Sequence, residues 1–148
     1  MNPKEQIEKL LSKQVLPVIE KNEEKRKKTQ EILRSLGVRE GSQFYELYSK
    51  YFLRHLDCRD GTPEIIDPLP ESFERKTVLT REVWELPENY ILFTTGEGEG
   101  GYLYETEEEK VWDFYLICRE ELFEGTLPHW DSFYEFMVWY LTVEDDEE

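Results

Sequence analysis

Apolar side chains recur at helical spacing near both ends of the chain and alternate through its middle, which divides it into helices around a strand-rich centre. In PKEQIEKLLSKQVLPVIEKNEEKRKKTQEILRSLGV, Ile7, Leu10 and Leu11 share one face, and Ile32, Leu33 and Leu36 share another. Two helices are expected, one over residues 4 to 16 and one ending near Leu36. Pro17 breaks the run, because it lacks an amide donor and clashes with the preceding turn, and Gly37 supplies a C-terminal stop. The charged stretch NEEKRKKTQE between them reads as a solvated face. Next comes QFYELYSKYFLRHL, an amphipathic core helix in which Phe44, Leu47, Tyr48, Tyr51, Phe52 and Leu56 recur near helical spacing. Ser42 caps it, and His55 sits at its polar edge.

Residues 57 to 75 carry three prolines and read as a turn-rich crossing with at most a brief strand at EII. KTVLTREVWEL is rich in β-branched and aromatic residues and is expected to be a strand cut off by Pro87. NYILFTT, GGYLYET and KVWDFYLI follow in quick succession, bounded by glycine or acidic turn residues, as in an antiparallel meander. In that arrangement Tyr102 and Tyr104 face away from Leu103, and Val111, Asp113 and Tyr115 oppose Trp112, Phe114 and Leu116. Asp113 then lies on a sheet face, where it must be solvated or joined in a salt bridge. In TLPHWDSFYEFMVWYLTVEDDEE, Asp131 or Ser132 caps a closing helix with a buried stripe of Phe133, Phe136, Met137, Tyr140 and Leu141. Glu135 stands where a capping box places it.

These elements define an α+β fold: a single domain over residues 1 to 148, with a predominantly antiparallel or mixed sheet packed against helices. Residues 1 to 30 form a helical N-terminal extension and 144 to 148 an acidic tail. A length of 148 residues with 39% apolar and 14% aromatic side chains fills one core of ordinary size. Two cysteines far apart support neither a disulfide framework nor a zinc ribbon, and Cys118 reads as a buried reduced thiol. Without an apolar leader or an apolar run near membrane length, the expected location is the cytoplasm.

The net charge of -16 disfavours a grip on nucleic acid backbone or anionic membrane. It is concentrated: residues 97 to 148 hold 17 acids against Lys110 and Arg119, whereas residues 1 to 96 are nearly balanced. Solubility is the plain explanation, and a basic protein partner the sharper one.

GEGEGG invites a test for phosphate binding. No Gly-Lys-Ser/Thr follows it, and although Gly96, Gly98 and Gly101 match a dinucleotide spacing, strand formers come next and Glu97 and Glu99 repel a pyrophosphate. Calcium would need a helix-flanked loop, so Glu105, Glu107, Glu108 and Glu109 read as a solvated hairpin tip or, at most, a loose cation site. Cys58, Cys118, His55 and His129 lack paired zinc spacing, and no G-x-S-x-G elbow surrounds a serine. A carboxylate-based hydrolase stays open only because acids are so abundant. No catalytic, cofactor or metal residue is assigned.

The tract LPENYILFTTGEGEGGYLYETEEEKVWDF, with the helices QFYELYSKYF and WDSFYEFMVWYL on either side, resembles the SMI1/KNR4, or SUKH, superfamily over roughly residues 31 to 141. The resemblance implies an α+β fold and, for many bacterial members, an immunity protein that neutralises a toxin, often a nuclease; fungal relatives are linked to cell-wall and signalling regulation. It makes Trp84, Tyr90, Tyr102, Tyr104, Val111, Trp112 and Phe114 framework positions and Gly96, Gly98, Gly100 and Gly101 turn positions. GSQFYEL departs from the Leu-Pro pair that many relatives carry before that helix. The expectation is therefore a non-catalytic domain that binds a basic protein partner, a toxin domain, through Glu97, Glu99, Glu105, Glu107, Glu108 and Glu109. A regulatory or scaffold module is the alternative.

Overall fold

The computed structural model describes residues 2–53, 56–58, 64–67, 75–95 and 100–142. His55, the prolines of the 57 to 75 crossing, Gly96 to Glu99 and the acidic tail lie outside the described residues. The first helix, α1 (Pro3–Ser12), starts in a capping box, with Asn2 Oδ1 accepting from the Glu5 amide at 2.8 Å and Glu5 Oε1 from the Asn2 amide at 3.2 Å. It ends four residues before its expected limit. Beyond it the Val15 amide donates to Asp57 Oδ2 and Gln14 bonds the Asp57 backbone, so the chain is drawn aside before Pro17.

Asn22 caps α2 (Glu23–Ser35). Gly37 at φ +87° closes it: its amide donates to the Arg34 carbonyl and that of Val38 to the Leu33 carbonyl, each at 3.0 Å. The face read as solvated is so except at Thr29, which is buried. Ser42 accepts from the Tyr45 amide and caps α3 (Gln43–Lys50), which is shorter than its apolar pattern suggests. Tyr51 is already extended, because the Phe52 amide donates to the Ile19 carbonyl and the Leu53 amide to Asp67 Oδ1.

KTVLTREVWEL is not a strand. Residues 75–78 are α-helical and Leu79–Val83 form a π-helical turn, in which the Trp84 amide donates to the Leu79 carbonyl at 2.9 Å. The turn carries Leu79 and Trp84 to the same cluster while Val78 and Val83 stay exposed, so β-branched content misled where packing decided. The EII segment contributes an isolated bridge between Ile65 and Thr94.

The meander is present as β1 (Tyr90–Leu92), β2 (Gly100–Glu105) and β3 (Val111–Tyr115), and β4 (His129–Trp130) extends it in the order β1-β2-β3-β4, all antiparallel. A 3₁₀ turn (Leu116–Cys118) leads from β3 into α4 (Arg119–Glu124), and Ser132 caps α5 (Phe133–Leu141). The described residues thus form an α+β arrangement with a four-stranded antiparallel sheet.

Register assigns the faces. Ile91, Tyr104, Val111 and Trp130 stand side by side and meet the helices, while Leu92, Leu103 and Trp112 line the opposite face. The larger core gathers Ile7, Leu11, Leu33, Phe44, Tyr48 and the whole expected α5 stripe, so the N-terminal helices share the core of the domain. Phe44 is its centre, 4.1 Å from Tyr104 in a stacked pair and 4.9 Å from Phe133. The smaller core packs Trp84, Leu86 and Leu122 against the other face. Cys118 only packs at its margin and is half-buried, which corrects the expectation of a buried thiol. Among the described residues no helix is long and apolar enough to cross a membrane.

One ion pair joins the helical layer to the crossing. Lys21 Nζ lies 3.1 Å from Asp67 Oδ2 with the side chains 1% and 2% exposed, and it donates to Thr29 Oγ1 and the Tyr48 carbonyl. Lys21→Met is expected to cost about 3–5 kcal/mol, because it breaks a buried ion pair by removing one partner and leaves the Asp67 carboxyl in the interior without this cation. Combined with Asp67→Asn it should cost less than the two single changes added. Urea unfolding of the three variants measures this, and strict additivity would show that the two residues do not act as a unit.

Candidate partner-binding surface

The sequence places its candidate acids around the β2–β3 hairpin. Glu97 and Glu99 lie outside the described residues. The other four do not act alike, because a tip of closely spaced glutamates must dispose of its own repulsion. The hairpin closes where the Glu105 amide donates to the Lys110 carbonyl at 2.9 Å. Glu105 is buried, and its carboxylate accepts from the amides of Glu107 (2.8 Å) and Glu108 (2.7 Å) and from Asn89 Nδ2 (2.8 Å). It organises the turn from inside and is turned away from any partner.

Glu107 and Glu108 are exposed, and Glu109 is half-buried at φ +62°. Arg39 reaches across from the loop after α2, donating to the Thr106 and Glu107 carbonyls and standing 3.8 Å from Glu109 Oε2. Lys110 pairs with Glu108 at 3.4 Å. The tip therefore presents Glu107 and Glu108 outward and has a base beside two of its four described acids, Glu108 and Glu109. Sequence reasoning missed Arg39, since a lone arginine 67 residues before Thr106 carries no local signal.

Gly100 and Gly101 belong to β2. A Cβ on Gly100 would stand 2.7 Å from the Phe114 carbonyl, and one on Gly101 2.6 Å from Leu92 Cδ1. These glycines serve close strand approach inside β2, which corrects their expected place as turn positions.

Asp113 lies opposite Tyr102 on the helix-facing side of the sheet, half-buried, and no basic side chain pairs with it among the described residues. Burial pushes its carboxyl up from the ordinary value. Burial, and after it the Asp113 charge, also push the Tyr102 hydroxyl up.

Elsewhere, a cleft of about 140 Å³ between α1, α2, α3 and α5 is lined by Lys4, Glu8, Arg26, Glu46, Lys50 and Tyr134 among others. Its Lys50 pairs with Glu8 at 3.4 Å. Among the described residues no group of three or more His, Cys, Asp or Glu is placed to hold a metal ion. Comparison of the chain with family models, with curated proteins and with solved structures gives no match.

Two outcomes follow from this geometry. Glu105→Ala leaves two tip amides without their acceptor and is expected to lower stability by about 1–3 kcal/mol. Glu107→Gln should change it by less than about 0.5 kcal/mol, as at an ordinary surface position. Chemical denaturation of both variants reads this, and equal losses would contradict the inward role of Glu105.

Because the folded-state value of Asp113 lies above its unfolded value, its contribution to stability is complete below the unfolded value and is lost as pH rises through the folded one. Asp113→Asn should therefore melt above the parent at neutral pH, with the gap closing as pH falls into the ordinary carboxylate range. Thermal melts across pH test the sign, and a gap that widens in acid would refute it.

Proposed function

We propose that the chain is a non-catalytic protein-binding domain of the SMI1/KNR4 type that acts as an immunity protein, neutralising a bacterial toxin by binding it directly. The observation that carries this reading is the charge asymmetry, 17 acids against two bases over residues 97 to 148. Of these acids, Glu107, Glu108, Glu120, Glu124, Asp131 and Glu135 are exposed. A nuclease toxin presents cations where it holds phosphate, and carboxylates offered in place of phosphates suit such a surface. Charge of this kind chiefly speeds and selects encounter, while residence depends on a few buried anchors. The α+β fold is of the class that the resemblance implies.

Calorimetry against a toxin encoded beside this gene tests the reading. Binding is expected at low salt, with an association rate that falls steeply as salt rises. Absence of binding at low salt to every toxin encoded beside it would refute it.

A further inference from the structure

Steering acids need apolar anchors beside them if a complex is to last, and the hairpin tip exposes none among its described residues. Large exposed apolar side chains occur elsewhere. Val15, Leu16 and Ile19 follow α1, next to Lys9 and Lys13 as well as Glu20, a mixture with no charge to select a partner. Val83 (61% exposed), Ile117 (91%) and Phe123 (45%) belong to two segments over the smaller core.

Arg119 ties those segments together. Its Nε donates to the Trp84 carbonyl at 2.9 Å, its Nη2 to the Glu85 carbonyl at 2.6 Å, and its guanidinium lies 4.9 Å from the centre of the Phe123 ring. The turn carrying Val83 is thereby held to the segment carrying Ile117 and Phe123. Residues 79 to 88 and 115 to 124 together hold Glu82, Glu85, Glu88, Glu120, Glu121 and Glu124 against only Arg81 and Arg119. Both bases are engaged within the chain, Arg81 with Glu88 at 3.7 Å and Arg119 with the carbonyls above and Glu120 at 3.8 Å.

The geometry points to this end of the smaller core as a docking surface for a basic amphipathic segment of another protein, with Val83, Ile117 and Phe123 as anchors and the glutamates around them as the polar rim. Apolar positions on segments where six acids face two bases are complementary to a helix or strand that alternates Lys or Arg with aliphatic side chains. The inference rests on the reading of a basic protein partner and moves the anchoring contact from the hairpin to the segments around Arg119.

The test uses the full chain and two synthetic probes, a helical peptide with lysine and leucine at amphipathic spacing and a lysine and serine peptide of equal charge. Amide shifts and calorimetry at low salt are the readouts. The lysine and leucine peptide should bind more tightly and shift the amides of Val83, Ile117 and Phe123. Ile117→Ser with Phe123→Ser, both at exposed positions, should keep the native amide spectrum and weaken binding about tenfold.

Equal affinity for the two peptides would reduce the surface to charge alone and overturn the proposal. Shifts centred on Glu107 and Glu108, or an equal loss on Glu107→Gln with Glu108→Gln, would return the site to the hairpin. Self-association that Ile117→Ser abolishes would assign the surface to a second copy of the chain and likewise overturn it. A peptide mapped to this surface with no binding to a neighbouring toxin keeps the inference and removes the immunity reading. A bound toxin whose affinity ignores Ile117 and Phe123 does the reverse.

Discussion

Lys21 and Asp67 meet at 3.1 Å with almost no exposure, and segments distant in the chain take their places around that contact. Lys21 precedes α2, bonds Thr29 on it, and reaches the Tyr48 carbonyl near the end of α3. Asp67 lies in the crossing toward the sheet and accepts from the Leu53 amide. The main-chain bond from Lys21 to the Lys50 carbonyl runs alongside, and Tyr48 donates its hydroxyl to the Ile66 carbonyl. A charge in so dry a place is tolerated only with its partners in position, so the pair acts as a geometric condition more than as a source of net stability. It also explains why α3 stops at Lys50, since continuing the helix would carry the Leu53 amide away from Asp67.

Once that layer is set, the sheet can be buried on both faces. Phe44, Tyr104 and Phe133 pack as a chain of ring contacts on one side, and aromatic pairs of this kind add about 0.5–1.5 kcal/mol each beyond their area. On the other side Trp84 packs against Phe114 at 5.2 Å, and Trp112 lies 4.5 Å from His129. The two faces meet their cores because β2 has glycines where its neighbours come too close for a side chain. Gly100 and Gly101 thus connect the local backbone to the global packing.

What could be read beforehand was what repeats at short range. The α5 stripe, the alternation of Tyr102, Leu103 and Tyr104, and the caps at Ser42 and Ser132 are all local patterns, and all are present. The inward turn of Glu105 was hidden, because its sequence neighbours are glutamates and nothing local marks one of them as an acceptor for the others' amides. The pairing of Lys21 with Asp67 had no local signal, since the two lie far apart in the chain. The π-helical turn over Leu79–Val83 escaped for a different reason: its residues favour a strand, and only the pull of the smaller core on Leu79 and Trp84 overrides them.

The scarcity of bases in the acidic third has a structural side. Among the described residues, Glu85 (φ +56°) and Glu109 (φ +62°) are the non-glycine positions in the left-handed region, and each has an arginine from a distant part of the chain beside it. Arg119 holds the Glu85 carbonyl, and Arg39 stands beside the Glu109 carboxylate while bonding carbonyls of the same turn. Such conformations persist only where the surroundings over-determine them. Each guanidinium thus serves backbone geometry and a neighbouring glutamate together, Arg39 with Glu109 and Arg119 with Glu120. The outward field of this part of the molecule stays negative because acids outnumber bases there, 17 to two over residues 97 to 148.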